Sequence, residues 1–305
     1  MLAQIFRYAD SVLPNIAAIA YAIGAYIGGI ALLVFAPLPG QVIGTLLVAH
    51  ALIMSSYLFH EFAHHAIFKS AAANTRWGVL MTWINGSCYA SFADLRRKHV
   101  RHHADRADVI TFDFKGFLRR SPGWFRNLVL ALEWAYVPAV ELIMHAYVMA
   151  LPFIAEEKKH RRARVIAIIT IRAAAFTLLG WVSLIGLLGY AIAYMIMLHV
   201  LRFADAYQHT YDAFAILQGG DIPADKVRDH TYEQRNTYSN LISVAHPLLN
   251  LLLLNFSYHN AHHERPIEPW YRLPRLHAEL FPGDYVQVLP MTTLLAAHHR
   301  YRVKR

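Results

Sequence analysis

VIGTLLVAHALIMSSYLFHEFAHH, residues 42–65, joins an apolar segment directly to a cluster of histidines. The apolar part, Val42 to Phe59, approaches the ~20 residues that a helix needs to cross a bilayer. Asn15 to Ala36 forms a longer apolar segment before it, and the proline- and glycine-containing residues 37–40 predict a tight turn between the two. We therefore predict a membrane hairpin whose second helix continues beyond the bilayer into the histidine cluster.

The rest of the chain contains four more apolar stretches. Val165 to Val200 is long enough for a second hairpin, which we expect to turn near Gly180. Trp124 to Ile154 and Trp77 to Phe92 are interrupted by polar residues, so we expect bent, interfacial or re-entrant helices there. Leu241 to Phe256 is short for a membrane span.

The composition supports this fold. Hydrophobic residues make up 56% of the 305-residue chain and charged residues 16%, and the mean hydropathy is +0.30. We predict an all-α integral membrane protein, one domain over residues 1–305, with about four transmembrane helices in two hairpins plus interfacial or re-entrant helices. The net charge of +9 occurs without a soluble basic domain, which argues against nucleic-acid binding. The single cysteine, Cys88, excludes multi-cysteine zinc or iron–sulfur sites.

The histidine clusters constrain the topology, because they must lie on one side of the membrane to form one site. Basic residues accumulate on the cytoplasmic side of membrane proteins. Such residues accompany the second cluster and the loop before the second hairpin, at Arg96, Arg97, Lys98, Arg101 and 156–164. We therefore place the histidine-lined di-metal site and both termini on the cytoplasmic side of an inner or cytoplasmic membrane.

Three of the histidine groups share a regular spacing. The first is His60-Glu61-Phe62-Ala63-His64-His65, and residues 99–103 and 259–263 both follow the pattern H-x-x-H-H. On a helix, positions i, i+3 and i+4 share a face, so each group directs imidazoles toward one point. Neutral imidazole suits iron, zinc, copper and nickel. The spacing therefore predicts a histidine-rich site for two metal ions.

Two other classes of protein use part of this pattern. His60-Glu61-x-x-His64 matches the H-E-x-x-H motif of zinc proteases, in which Glu61 would be the general base. A mononuclear zinc site needs only one further protein ligand, however, and would leave both H-x-x-H-H groups without a purpose. A metal transporter would place its ligands within the spans, along a path across the membrane. We keep both classes as alternatives to an oxidoreductase.

These motifs resemble those of the membrane fatty acid desaturase and hydroxylase superfamily. His60-Glu61-x-x-His64-His65, His99-x-x-His102-His103 and Tyr258-His259-x-x-His262-His263 are similar to its three histidine boxes, in the same order after a membrane hairpin. Gln208-His209 follows the second hairpin, where the family has an additional ligand histidine. The resemblance covers roughly residues 15–280.

The resemblance implies two non-heme iron ions. The ligands it implies are His60, His64, His99, His102, His103, His209, His259, His262 and His263. In the first box, helical geometry favours His64, whereas the H-x-x-x-x-H spacing of acyl-CoA desaturases would select His65. Carboxylates beside the boxes are candidates to accept a ligand's second N–H or, for Asp205, to hold a metal-bound water. These carboxylates are Glu61, Asp105, Asp205 and Glu264.

The reaction implied by the resemblance is an O₂-dependent oxidation of an unactivated C–H bond in a membrane lipid or fatty acyl chain. Desaturation is the favoured outcome, and hydroxylation, carotenoid ketolation and alkene-forming decarboxylation of fatty acids are the alternatives. The sequence has no G-x-G-x-x-G nucleotide motif, no cysteines for a cluster and no heme domain. An external electron donor of the ferredoxin, rubredoxin or cytochrome type is therefore implied.

Overall fold

The computed structural model describes residues 2–283 and 286–303. The expected positions of the two termini concern Met1 and Arg305, which lie outside these residues. The described part of the chain is mostly helical. Its α-helices are α1 (Leu2–Ile5), α2 (Val12–Phe35), α3 (Leu38–Ala63), α4 (Ala71–Asn85), α5 (Phe92–Asp105), α6 (Phe114–Arg120), α7 (Gly123–Trp134), α8 (Ala139–Ile154), α9 (Arg162–Val182), α10 (Leu184–Asp205), α11 (His230–Arg235), α12 (His259–Glu264), α13 (Leu273–Leu280) and α14 (Met291–Tyr301).

Four helical segments of the described residues are long and apolar enough to cross a membrane. They are Ala9–Phe35, Leu38–Ala63, Glu156–Val182 and Leu184–Asp205. The first two form one hairpin and the last two another, as predicted. The second hairpin breaks at Ser183, just beyond Gly180, where the Ser183 hydroxyl accepts the N–H of Gly186 and caps α10.

Glycines allow α2 and α3 to pack closely. A Cβ atom on Gly44 of α3 would lie 2.8 Å from the carbonyl oxygen of Gly29 on α2, so a larger residue would force the helices apart. Leu33 and Val48, which are fully buried, lie in the same interface. Helix α10 packs against both helices, and its Ser183 hydroxyl donates to the Leu33 carbonyl. The histidine-bearing end of α3 therefore extends from a rigid three-helix unit.

The two interrupted apolar stretches do not form straight spans. Trp124 to Ile154 forms α7 and α8, and the chain bends by 120° between these two helices. The bend contains Tyr136, whose φ of 60° is left-handed, and Pro138 directly precedes α8. Trp77 to Phe92 contributes to α4, which packs along α3 and ends at Gly86. The predicted bend is confirmed.

A small parallel sheet connects two histidine-bearing segments. Strand β1 (Asp108–Ile110) follows α5, and β2 (Phe214–Ile216) follows the turn that contains His209. Asp108 pairs with Phe214 and Ile110 with Ile216. The sheet therefore holds the His209 turn beside the end of α5.

The last apolar segment is not a span. Within Leu241 to Phe256, residues Pro247–Leu253 form a 3₁₀ helix, and Leu254 and Asn255 then adopt left-handed φ values of 50° and 56°. This reversal directs the chain into α12, which carries the third histidine group.

Candidate metal centre

Helices present most of the nine expected ligands. His60 lies in the last turn of α3, and His64 directly follows the last residue of this helix, so the two rings share one face. Helix α5 begins at Ser91, whose hydroxyl accepts the N–H of Asp94, and carries the second group in its last two turns. Helix α12 carries the third group, and its three histidines are buried.

Five histidines converge on one point. Their ligand atoms lie within 4.8 Å of one another, and we call this set the five-histidine cluster: His60, His64, His99, His103 and His262. The Nε2 atom of His262 lies 3.0 Å from that of His60 and 3.1 Å from that of His103. The Nε2 atoms of His64 and His99 are 2.6 Å apart. These contacts join all three histidine groups of the sequence.

Four further histidines form a second set beside the first. We call it the four-histidine cluster: His102, His209, His259 and His263. The Nε2 atom of His209 lies 3.0 Å from that of His102 and 2.8 Å from that of His259. The ring of His263 lies 4.2 Å from that of His103, which belongs to the other cluster. The two clusters are therefore adjacent.

The outer nitrogens of the four-histidine cluster contact neighbouring groups. His102 Nδ1 donates to the Ala107 carbonyl at 2.9 Å, and His263 Nδ1 lies 2.8 Å from a carboxylate oxygen of Glu233. The Thr237 hydroxyl lies 3.3 Å from Nδ1 of His209. Such contacts orient the rings of ligating histidines and leave Nε2 free to bind metal.

The protonation state of the clusters suits metal binding. Burial lowers the pKa of His99, His259 and His262 well below the usual value, and the neighbouring imidazoles lower it further. The rings are therefore neutral at pH 7, which is the form that ligates a metal. His263 Nε2 is buried without a hydrogen-bond partner among the described residues, as a metal-directed nitrogen would be. Nine neutral imidazoles without thiolate fit two borderline metal ions such as iron.

The four carboxylates expected near the boxes have different surroundings. Glu61 is buried, its Oε1 lies 3.4 Å from His60 Nδ1, and its Oε2 accepts the backbone N–H of Trp270 at 3.1 Å. Asp105 instead pairs with Arg101, and Glu264 instead pairs with the exposed His230. Asp205 lies in the wall of the cavity described below.

His65 lies outside both clusters. Helix α3 ends at Ala63, and His65 adopts a left-handed φ of 56° that takes the chain away from the helix axis. The carbonyl of His65 accepts a hydrogen bond from Arg7 at 3.2 Å. The structure therefore brings His64, and not His65, to the other histidines of the five-histidine cluster.

The surroundings of Glu61 bear on the zinc protease alternative. The carboxylate of Glu61 accepts a hydrogen bond from the Trp270 backbone. Glu61 is not among the residues that line the cavity beside the clusters, so its carboxylate does not face a space in which a peptide would bind. His60 and His64 also meet three histidines from the other two groups. This arrangement does not resemble a mononuclear protease site.

A cavity of about 600 Å³ opens beside both clusters. His60, His99, His102, His209 and His259 contribute to its wall. Apolar side chains line other parts of it, among them Tyr57, Phe59, Leu198, Leu201 and Phe256. Asp108 also lies in the wall, and burial together with Asp205 raises its pKa to about 6. The cavity is large enough for part of an elongated apolar molecule.

One arginine fastens the bent helix pair to the cavity. Arg202 of α10 forms ion pairs with Glu133 of α7 and Glu141 of α8. Arg202 and Glu141 lie in the cavity wall. The N–H of Val140 donates to Glu133 at 2.8 Å, so the bend itself is part of the same network.

Sequence reasoning missed Glu233. This residue lies on α11, is buried, and contacts both His263 and Arg106. One of its carboxylate oxygens lies within 4.8 Å of ring nitrogens of His103 and His263. The motif spacing contains no signal for it, because Glu233 is distant from all histidine boxes in sequence. Trp270 is likewise buried, and its indole N–H donates to Asn15 at 2.9 Å.

The model of the fatty acid desaturase family matches residues 36–294 of the chain, and this range includes the histidines of both clusters. Among curated proteins, none matches the chain.

Proposed function

The chain belongs to the fatty acid desaturase family, and on this basis we propose that it is an O₂-dependent di-iron oxidoreductase that acts on an unactivated C–H bond of a fatty acyl or lipid chain. Family membership implies an oxidoreductase and a lipid or acyl substrate. Desaturation is the reaction we propose, with hydroxylation, ketolation and alkene-forming decarboxylation as outcomes that product analysis separates.

The observation that carries the proposal is the pair of adjacent histidine clusters. We assign one iron to the five-histidine cluster and the other to the four-histidine cluster, with the nine histidines of these clusters as the ligands. Iron, zinc and copper all accept imidazole. We assign iron, and not zinc or copper, because the chain belongs to the fatty acid desaturase family, whose members are oxidoreductases.

When bound, the two irons would supply the activation of O₂ and the oxidation of the C–H bond. The protein's own groups supply the binding and the orientation. Neutral imidazoles hold the metals, and Ala107, Glu233 and Thr237 orient the rings of the four-histidine cluster. Apolar side chains in the cavity wall, such as Leu198 and Phe256, exclude water from the reacting carbon.

The proposal also includes the electron donor and the location of the protein in a membrane. An external electron donor of the ferredoxin, rubredoxin or cytochrome type docks on the basic cytoplasmic face of the protein. The two hairpins span an inner or cytoplasmic membrane, with the clusters and both termini on the cytoplasmic side.

Metal analysis of the purified protein tests the assignment. We expect about two irons per chain, and replacement of His102, which belongs to the four-histidine cluster, by alanine should lower this content. His246→Ala is the matched control, because His246 is exposed and belongs to neither cluster. One zinc per chain, unaffected by His102→Ala, would contradict the proposal.

Product analysis tests the reaction. Cells that express the wild-type chain should accumulate an oxidised lipid or hydrocarbon that cells with His262→Ala lack. Unsaturated acyl chains support desaturation, whereas hydroxylated lipids, ketolated carotenoids or terminal alkenes identify one of the other outcomes. Unchanged lipid profiles would contradict the proposed substrate class.

A further inference from the structure

The stretch before the third histidine group forms an exposed apolar surface. No Asp, Glu, Lys or Arg occurs between Arg235 and Glu264. Within this stretch, Leu248 is 79% exposed and Leu252 48% exposed. We call residues 244–253 the leucine segment. A surface of several neighbouring leucines is unfavourable in water and indicates contact with another apolar phase.

A hydrogen bond fixes the position of the leucine segment along the helix axes of the first hairpin. The carbonyl of Leu252 lies 3.1 Å from Nε2 of His50. A carbonyl only accepts, so Nε2 donates, and Nδ1 then accepts from the Tyr21 hydroxyl at 2.5 Å. His50 lies near the middle of α3, and Tyr21 lies near the middle of the span Ala9–Phe35. The leucine segment therefore contacts the hairpin near the middle of its two helices.

The distance to the metal centre agrees with this placement. His50 and His60 are separated by ten residues of one continuous helix, which corresponds to about 15 Å along its axis. The hydrocarbon core of a bilayer is about 30 Å thick. If α3 spans the bilayer with His60 near one surface, the carbonyl of Leu252 lies well inside the hydrocarbon layer.

Backbone groups of the segment and of the residues just before it have partners within the protein. Asn250, which is fully buried, accepts the N–H of Ile242 at 2.8 Å and donates to the carbonyls of Ser243 and Pro247 at 2.9 and 3.1 Å. The N–H of His246 donates to the Ser243 hydroxyl at 3.0 Å. Non-helical backbone inside a bilayer needs such internal partners, because lipid offers none.

We propose that the leucine segment is a re-entrant element that enters the hydrocarbon layer beside α2 and α3 and contacts lipid acyl chains. The inference rests on the membrane-spanning role of α3 in the proposed function. The segment leads directly into α12, which carries three cluster histidines. Its insertion therefore ties the position of those histidines to the membrane.

Site-directed spin labelling of the full chain in phosphatidylcholine–phosphatidylglycerol vesicles tests the proposal. A nitroxide is attached at Leu248→Cys or Leu252→Cys in a Cys88→Ala background. Leu46→Cys is the lipid-facing control, because Leu46 is 58% exposed and lies one turn before His50 on α3. Val227→Cys is the water-facing control, because Val227 is 68% exposed and lies outside the candidate spans.

Collision rates with O₂, which concentrates in lipid, and with a water-soluble nickel complex distinguish the environments. The proposal requires high O₂ and low nickel collision rates at Leu248, as at Leu46, and the opposite ratio at Val227. If Cys88→Ala impairs folding, the wild-type background serves, because Cys88 is fully buried and should not react with the label.

Each other result overturns the inference in a distinguishable way. High nickel collision rates at Leu248 but not at Leu46 would place the segment in water and leave the spans intact. Low rates with both reagents would show that protein, such as a second copy of the chain, covers it. High nickel collision rates at Leu46 would overturn the spanning role of α3 and with it the membrane part of the proposed function.

Discussion

The two histidine clusters are built differently. The five-histidine cluster takes His60 from α3, which is anchored in the tightly packed first hairpin, and His99 and His103 from α5. Its His103 and His262 have no partner at Nδ1 among the described residues. The four-histidine cluster depends on His209 from a turn, and three of its four rings have a contact at Nδ1.

This difference indicates two ways to position a ligand. Helix packing fixes the first cluster, because the rings follow from the spacing on rigid helices. Hydrogen bonds from outside the cluster help to fix the second, because His209 lies in an irregular segment and His259 and His263 lie on the short helix α12. Loss of a ring should therefore affect both clusters, whereas loss of an outer contact should affect the four-histidine cluster selectively.

The largest effect is expected for His262→Ala. Nε2 of His262 contacts His60 and His103, so its loss opens the middle of the five-histidine cluster. We expect iron binding in this cluster to weaken more than the ~10–100-fold typical of losing an outer partner, and activity to become undetectable. Iron content and product formation measure this. Activity within about twofold of wild type would contradict the assignment of His262.

Glu233→Gln should weaken iron binding in the four-histidine cluster and leave iron binding in the five-histidine cluster unchanged. The change keeps the size of the side chain but removes the charge beside His263, so we expect about 10–100-fold weaker binding of one iron, with the other retained. Competition with a chelator measures this. Glu264→Gln is the matched control, because Glu264 flanks α12 but pairs with the exposed His230. Equal loss of both irons would contradict the contrast between the clusters.

The sequence predicts the five-histidine cluster better than its neighbour. Hydropathy locates α3, and the i, i+3, i+4 spacing places the rings of His60, His99 and His262 on helical faces. Glu233 is invisible to this reasoning, because its contact with His263 depends on how α11 meets α12 in three dimensions. The same holds for Trp270, whose burial depends on Glu61 and Asn15.

Acidification should destabilise the metal-free protein. Burial lowers the pKa of histidines in both clusters, including His99, His103, His209 and His263. The unfolded chain therefore binds more protons below about pH 6.5, and the free energy of unfolding falls as pH decreases from there. Denaturant titration of chelator-treated protein at pH 7.5 and pH 5.5 measures this. Equal stability at both values would contradict the neutral, buried state of the rings.

The smallest effect is expected for Thr237→Val. The Thr237 hydroxyl lies 3.3 Å from Nδ1 of His209 and donates to the Glu233 carbonyl at 2.7 Å, and its loss should cost about 1 kcal/mol, or roughly fivefold in iron affinity of the four-histidine cluster. Thr293→Val is the control, because the Thr293 hydroxyl donates to the carbonyl of Pro290 at the surface. An effect as large as that of Glu233→Gln would show that Thr237 matters through more than these contacts.

Arg202 connects the bent helix pair to the rest of the protein through Glu133 and Glu141. Because α8 contributes Glu141 to the cavity wall but no ligand to either cluster, its sequence can diverge without loss of the metals. In evolution, α7 and α8 are therefore less constrained by metal binding than the helices that carry the cluster histidines. For an engineer, Glu141 and its partner Arg202 are the positions at which to vary the cavity wall beside this helix pair.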